Sequence, residues 1–249
     1  MGRLIGERLL QAWERIRSLP EHEAVLAVLA LAWPERPAGE LAQLPLGERN
    51  ALLLDLRAAT LGARIEAFAV CPRCQAQLEL ELDARELADG LREPQAVPLA
   101  GLGRYTMRPA NTLDLLAVGR ARDEEQAQSI LLARMLVRSD SDSPADDPGP
   151  DPGEWLAAQT ETGKAALVEQ FEQINAAAEI RVAVDCAACH ARTMLDLDIA
   201  RFFLRELAAA ARRLMEDVHH LASAYGWSER SIARMSGARR AAYLGMVGA

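Results

Sequence analysis

Aromatic side chains are scarce: they make up 4% of the 249 residues, although half of the chain is hydrophobic. Leucine and alanine must therefore fill most of any core, and both enter helices at little cost. Lysine is scarcer still, with Lys164 standing alone against 27 arginines. The arginines are scattered along the chain, which reads as coding bias rather than as a functional signal. No apolar run is long enough for a membrane; the longest, Ala24 to Trp33, covers about half a span. The N-terminus interleaves charges where a secretion signal would be apolar, and Gly6 stands where a myristoylation motif needs Ser or Thr. A soluble cytoplasmic protein with reduced thiols and no membrane partner is expected.

Catalytic signatures are missing as well. The chain has no Walker loop, no Gly-x-Ser-x-Gly and no His-Glu-x-x-His, and Gly101-x-Gly103 lacks the strand and third glycine of a dinucleotide site. The acidic residues belong to solvated faces and a linker, so no catalytic residue is expected. The formal charge of −8 is uneven: residues 200–249 hold eight arginines against four acids, leaving −12 on residues 1–199. An acidic body argues against a general nucleic-acid coat, while the basic tail keeps that option open locally.

The patterning predicts an α+β, mostly helical chain. Residues 1–62 read as helical: Leu4, Ile5, Leu9, Trp13 and Ile16 recur at helical spacing, and a second helix runs from Pro20 to about Ala32. Residues 34–47 form a connection punctuated by Pro and Gly. A helix from about Leu46 to Leu61 follows, closed by Gly62. The period then changes to two. Residues 63–91 read as strand (Ile65–Val70), knuckle (Cys71–Cys74), strand (LELELD, Leu78–Asp83) and a short helix.

Residues 92–178 form an insertion, with a strand at Arg104–Arg108 and a helix capped by Asn111-Thr112. Further helices are expected at Ser129–Val137 and from Glu154 to about Ala177, the latter broken near Gly163. Within it, 139–153 (SDSDSPADDPGPDPG) carries no large apolar side chain, and its composition predicts a disordered linker. The strand–knuckle–strand pattern returns at 179–199, and residues 200–249 read as a helical tail. Ser228 and Ser236 stand at N-caps after a break at Gly226-Trp227.

The two cysteine regions resemble each other. IEAFAVCPRCQAQLELELDARELA and IRVAVDCAACHARTMLDLDIARFF each place an isoleucine six residues before Cys-x-x-Cys, and each ends an alternating strand in Leu-Asp. Cys71 and Cys74 from the first half, with Cys186 and Cys189 from the second, would complete the tetrahedral thiolate shell of one structural zinc ion, in a zinc-ribbon-like element. Four thiolates suit iron as well as zinc. A full shell leaves no position for water, so the site is expected to be structural. The 111 residues from Gln75 to Asp185 make the gap far longer than in ordinary ribbons. Two rival readings exist. Free cysteines can be small buried hydrophobes. A redox pair belongs at a helix N-terminus, whereas a strand-like stretch follows each pair here. His190, directly after Cys189, reads as a knuckle residue rather than a ligand.

The tail is the other informative stretch. Leu214, Val218, Leu221 and Tyr225 share a helix face, Trp227 can pack over the turn, and Ile232, Met235, Tyr243 and Leu244 are apolar anchors beyond it. These residues either pack on their own domain or, with Arg239 and Arg240, dock a partner. Arg234, Arg239 and Arg240 also allow a helix-turn-helix reader facing phosphate, but the last helix offers Ala, Tyr, Leu and Gly rather than polar side chains that reach base edges. His219 and His220 point to different sides of a helix and form no joint site.

Four segments together resemble the baseplate hub assembly chaperones of contractile phage tails and of extracellular contractile injection systems. They are LPLGERNALLLDLRAATLG, CPRC with LELELD, CAAC, and the tail DVHHLASAYGWSERSIARMSGARRAAYLGMV. The resemblance covers most of the chain except roughly 92–175, and the tail is its most specific part. It implies a non-catalytic assembly factor, cytoplasmic or particle-associated, whose partners are baseplate, hub or spike proteins. The acidic Pro/Gly-rich loop at 139–153 departs from the pattern. The alternative is a zinc-ribbon regulator that binds nucleic acid through its basic C-terminal helices, and a thiol oxidoreductase is a third reading.

Overall fold

The computed structural model describes residues 1–92, 105–138 and 150–247. Proline sets the starts of three early helices. Pro20, Pro37 and Pro45 are the N-caps of α2 (Glu21–Ala32), α3 (Ala38–Gln43) and α4 (Leu46–Leu61). A proline N-cap has no N–H to satisfy and keeps the preceding residue out of the helix. α3 lies inside the stretch expected to be a connection; it is short, yet it buries Leu41 and Ala42. The first helix, α1 (Glu7–Ile16), starts later than the apolar spacing suggests. Leu4 is buried and Ile5 half exposed ahead of it, and Gly6 turns the chain at φ 56°.

Gly62 ends α4 at φ 104°, and the chain enters β1 (Arg64–Val70), which pairs antiparallel with β2 (Gln77–Asp83), Ile65 opposite Leu82. α5 (Ala84–Arg92) then returns along α4. Far along the chain, β5 (Arg181–Asp185) and β6 (Arg192–Asp196) make a matching hairpin, Val182 opposite Leu195. It leads into α10 (Ile199–Tyr225), a helix of 27 residues and roughly 40 Å.

One core joins the two ends of the sequence. Val25, Val28 and Leu29 of α2, Leu53 and Leu56 of α4, and Phe203, Leu207 and Leu214 of α10 pack together with α1. The bases of both hairpins enter the same core through Ile65 and Ile180. The apolar face of each hairpin therefore covers core, while alternate residues such as Glu66, Phe68 and Met194 face outward.

The insertion has a second core of Tyr105, Met107, Leu132, Met135, Leu156 and Leu167. Its hairpin pairs β3 (Tyr105–Met107) with β4 (Leu136–Arg138). The helix expected over Ser129–Val137 therefore runs as α7 (Glu124–Met135), starting earlier at an Asp123 cap and ending where β4 begins. α6 (Thr112–Val118) opens on a capping box between Asn111 and Asp114. Asp114, fully buried, also receives hydrogen bonds from Arg108 at 2.7 and 2.9 Å and from Arg134 at 2.9 Å. α8 (Pro152–Ala157) and α9 (Glu161–Asn175) complete the insertion. The break between them is at the Thr160 cap, so Gly163 lies inside α9. Of the expected linker, 139–149 lies outside the described residues, as does Arg104 of the first strand; Asp151 already caps α8.

The architecture is thus α+β and mostly helical, with three two-stranded antiparallel sheets among the described residues. None of these helices is long and apolar enough to cross a membrane.

Candidate metal centre

Each hairpin turns through its cysteines in the same way. The Cys71 N–H bonds the Ala76 carbonyl at 2.9 Å, and the Gln75 N–H bonds the Cys71 carbonyl at 2.9 Å. In the second hairpin the Cys186 N–H bonds Ala191 at 3.0 Å and the His190 N–H bonds Cys186 at 2.8 Å. Among the described residues, Gln75 and His190 are the two non-glycine residues with positive φ, at 61° and 54°. That conformation costs about 1–2 kcal/mol, and both knuckles adopt it at the fourth residue after their first cysteine. His190 is exposed and belongs to the turn; the candidate ligand group consists of cysteines alone.

The turns bring four sulfurs together from positions more than a hundred residues apart. Cys71 Sγ lies 3.8 Å from Cys189 Sγ, and Cys74 Sγ lies 3.6 Å from Cys186 Sγ. All four lie within 4.8 Å of one another. An ion with metal–sulfur bonds of about 2.3 Å holds tetrahedral sulfurs about 3.8 Å apart. These two pairs match that edge, and each joins the first hairpin to the second. Cys71 and Cys186 are buried, Cys189 is half-buried and Cys74 exposed. Ala69, Leu78, Val184 and Leu195 wall the cluster.

Backbone dipoles favour thiolate at the inner positions. The N–H groups of Cys74 and Arg73 bring the Cys71 thiol down to about 7. Those of Cys189 and Ala188 likewise lower Cys186. The Ala76 N–H pulls Cys74 the same way, but the sulfurs of Cys189, Cys186 and Cys71 together with burial outweigh it and push that thiol up to about 12. Four sulfurs this close do not all ionise without a cation among them, and a bound metal ion supplies that charge. Each cysteine pair leads into a strand, β2 or β6, and not into a helix N-terminus, so the arrangement of a redox Cys-x-x-Cys is missing. The cluster can hold a metal ion.

No protein-family model matches the chain, and no curated protein or solved structure resembles it significantly. The site is therefore read from its own geometry.

The expected partner-binding residues divide into two groups. Ile232 is fully buried in α11 (Glu229–Ala233), so it anchors the tail and is unavailable to a partner. Arg240 is also engaged, donating to Asp217 at 3.1 Å and to the Met235 carbonyl at 2.7 Å. Tyr225, Trp227 and Tyr243, by contrast, form an outward cluster. Tyr225 and Trp227 stack with centroids 4.5 Å apart, and Tyr243 meets Trp227 edge-on at 4.9 Å. The Arg239 guanidinium sits 5.7 Å from the Tyr243 ring centre. Met235 and Leu244 are half-buried. α12 (Gly237–Val247) buries no residue of its own. Ser228 and Ser236 accept the capping N–H bonds expected of them, from Ser231 and Arg239.

Two contacts that hold the tail escaped sequence reading. Arg230 and Arg234 reach Glu7 at 3.4 and 3.6 Å. Their four-residue spacing on one helix face was the available signal, but nothing local names Glu7 as the target.

Proposed function

We propose that the protein is a non-catalytic assembly factor, chaperone or minor structural component, for the baseplate hub of a contractile phage tail or related injection system. A structural zinc ion held by Cys71, Cys74, Cys186 and Cys189 organises it. The observation that carries the structural role is the joining of two distant hairpins at one four-sulfur shell. Such a shell has no open position for substrate or water. Zinc suits it because a d10 ion imposes no geometry beyond the tetrahedron that the sulfurs offer.

The aromatic group of Tyr225, which is exposed, and the half-buried Trp227 and Tyr243, with Arg239 over it, supports the assembly role. Aromatic residues and arginine are the side chains that most often dominate protein interfaces. On this reading, the metal and the shared core hold α10, and α10 presents α12 to a hub or spike protein. Of the three arginines that a helix-turn-helix reader would turn to phosphate, Arg240 is engaged by Asp217 and Arg234 by Glu7, which weakens the nucleic-acid alternative.

Co-purification from cells expressing the neighbouring tail genes tests the proposal. A hub or spike protein should accompany the wild-type chain and be lost from a Trp227→Ala, Tyr243→Ala variant that retains its melting temperature. Recovery of nucleic acid alone, released steeply by salt, would refute it.

A further inference from the structure

The start of α1 and the middle of α10, with the end of α4 and the turn between α11 and α12, line a cleft of about 900 Å³. Five arginines stand in its wall, Arg3, Arg8, Arg213, Arg234 and Arg240, against two acids, Glu7 and Asp217. Both acids are engaged. Asp217 accepts from Arg240 at 3.1 Å, and Glu7 faces Arg234 at 3.6 Å and Arg230, from outside the wall, at 3.4 Å. The acids close by are engaged or turned away: Glu206 is held by Arg57 and Glu35 by the N-terminal ammonium, and Glu216 lies off the cleft wall. Among the described residues, no ion pair joins Arg3, Arg8 or Arg213 to a carboxylate.

Two of these three guanidiniums are held in place by backbone. Arg3 Nε donates to the Ala59 carbonyl at 2.6 Å, near the end of α4, and Arg8 Nη2 to the Leu31 carbonyl at 2.7 Å, near the end of α2. A helix C-terminus offsets about half an elementary charge, so the three arginines keep an excess of about two. Each anchored guanidinium uses one of its N–H groups in this way and keeps the others for a ligand. Anchoring also lowers the entropy that a ligand must overcome. In a chain of net charge −8, this cleft inverts the prevailing sign.

The rest of the wall sets the class of partner. Ile5 is 50% exposed there, and Leu61 and Met235 are half-buried. No aromatic residue lines the cleft among the described residues. Nucleic-acid bases bind by stacking on aromatic side chains, so a strand would gain phosphate contacts here and little else. A polypeptide that interleaves carboxylates with aliphatic side chains matches both parts of the wall. We propose that this cleft docks an acidic, aliphatic segment of a partner protein, its carboxylates on Arg3, Arg8 and Arg213 and its apolar side chains on Ile5, Leu61 and Met235. The surface is separate from the aromatic group of Tyr225, Trp227 and Tyr243, none of which lines it.

Fluorescence polarisation of the full-length, metal-loaded protein with a fluorescein-labelled peptide of repeating Asp-Leu-Glu tests this at constant ionic strength. Binding should saturate at one site. Peptides of repeating Asn-Leu-Gln, which lacks the charge, and Asp-Ser-Glu, which lacks the apolar side chain, should each bind at least about tenfold more weakly, a difference of about 1.4 kcal/mol. Labelled oligothymidylate should also bind more weakly. Arg213→Glu, at an exposed position, should weaken the Asp-Leu-Glu peptide about tenfold. Arg212→Glu makes the same charge change one residue away, outside the cleft wall, and should change affinity by no more than about twofold because solvent screens it. Ile5→Ser keeps every charge, should weaken binding too, and carries the test if Arg213→Glu fails to fold. The Trp227→Ala, Tyr243→Ala variant should bind the peptide as the wild type does. Absence of saturation, tighter binding of oligothymidylate, or equal effects of Arg212→Glu and Arg213→Glu would overturn the proposal. So would a dimer in native mass spectrometry that Arg213→Glu dissociates, because a second copy would then fill the cleft.

Discussion

Arg57 of α4 grips Glu206 of α10 with two parallel hydrogen bonds, Nε to Oε2 at 2.9 Å and Nη2 to Oε1 at 2.8 Å. Its remaining nitrogen donates to the Gly62 and Arg64 carbonyls, at 2.6 and 2.7 Å. One side chain thus ties the end of α4, the start of the first cysteine hairpin and the C-terminal helix. The Arg57 side chain is 4% exposed and that of Glu206 27%. Breaking so buried a pair from one side costs about 3–5 kcal/mol. Arg57→Ala should lose stability of that order in urea unfolding, and Arg57→Lys should recover little of it, because an ammonium cannot reproduce the fork.

Asp114 governs the insertion in a pH-dependent way. Burial alone would raise its pKa, but the bonds from Arg108, the Asn111 N–H and Arg134 outweigh that and hold it below the ordinary carboxylate value. A depressed folded-state pKa means that the contribution is present above the unfolded value, near 4, and is lost as pH falls through the lower folded one. Asp114→Asn should therefore be less stable at neutral pH by roughly 2–4 kcal/mol. The gap to wild type should close below about pH 4, as thermal melts across pH would show.

Gly6 should tolerate no side chain. Its φ is 56°, and a Cβ there would lie 2.3 Å from the Ala233 carbonyl oxygen at the end of α11. Gly6→Ala should cost at least about 1–2 kcal/mol from backbone conformation alone and displace α11. Faster proteolysis around residues 226–236 and altered Trp227 fluorescence would report it; unchanged behaviour would contradict the close approach.

Chelation should affect both hairpins at once. Removing the ion should cost several kcal/mol, structural zinc in small domains being worth on the order of 10 kcal/mol. Hydrogen exchange should rise together in β1–β2 and β5–β6, while the core of the insertion, which shares no residue with the cysteine cluster, responds less. Loosening of one hairpin alone would deny that the site joins them.

Much of this fold was legible where local signals were unambiguous. α4 is fenced by Pro45 and Gly62, and the hairpins announce themselves by a two-residue period interrupted by Cys-x-x-Cys. The elements that were missed depend on distant partners. β4 continues the apolar pattern of α7 and becomes a strand only because Tyr105–Met107 lies beside it. α3 is six residues long and fenced by prolines. The four ligands were readable from spacing and repeat, but their convergence on one point required the shared core. The burial of Arg49 and Arg57 was hidden because charged residues are ordinarily assigned to the surface. Their places four residues before and after Leu53, on the inner face of α4, were the overlooked sign.

Metal analysis of the purified protein, paired with native mass spectrometry of the wild type and of a Cys71→Ser, Cys186→Ser variant, tests the central claim most directly. The account predicts one zinc ion per chain in the wild type and none in the variant, with a much lower melting temperature. A folded wild-type chain without metal, stoichiometric iron instead of zinc, or zinc retained after both substitutions would contradict it.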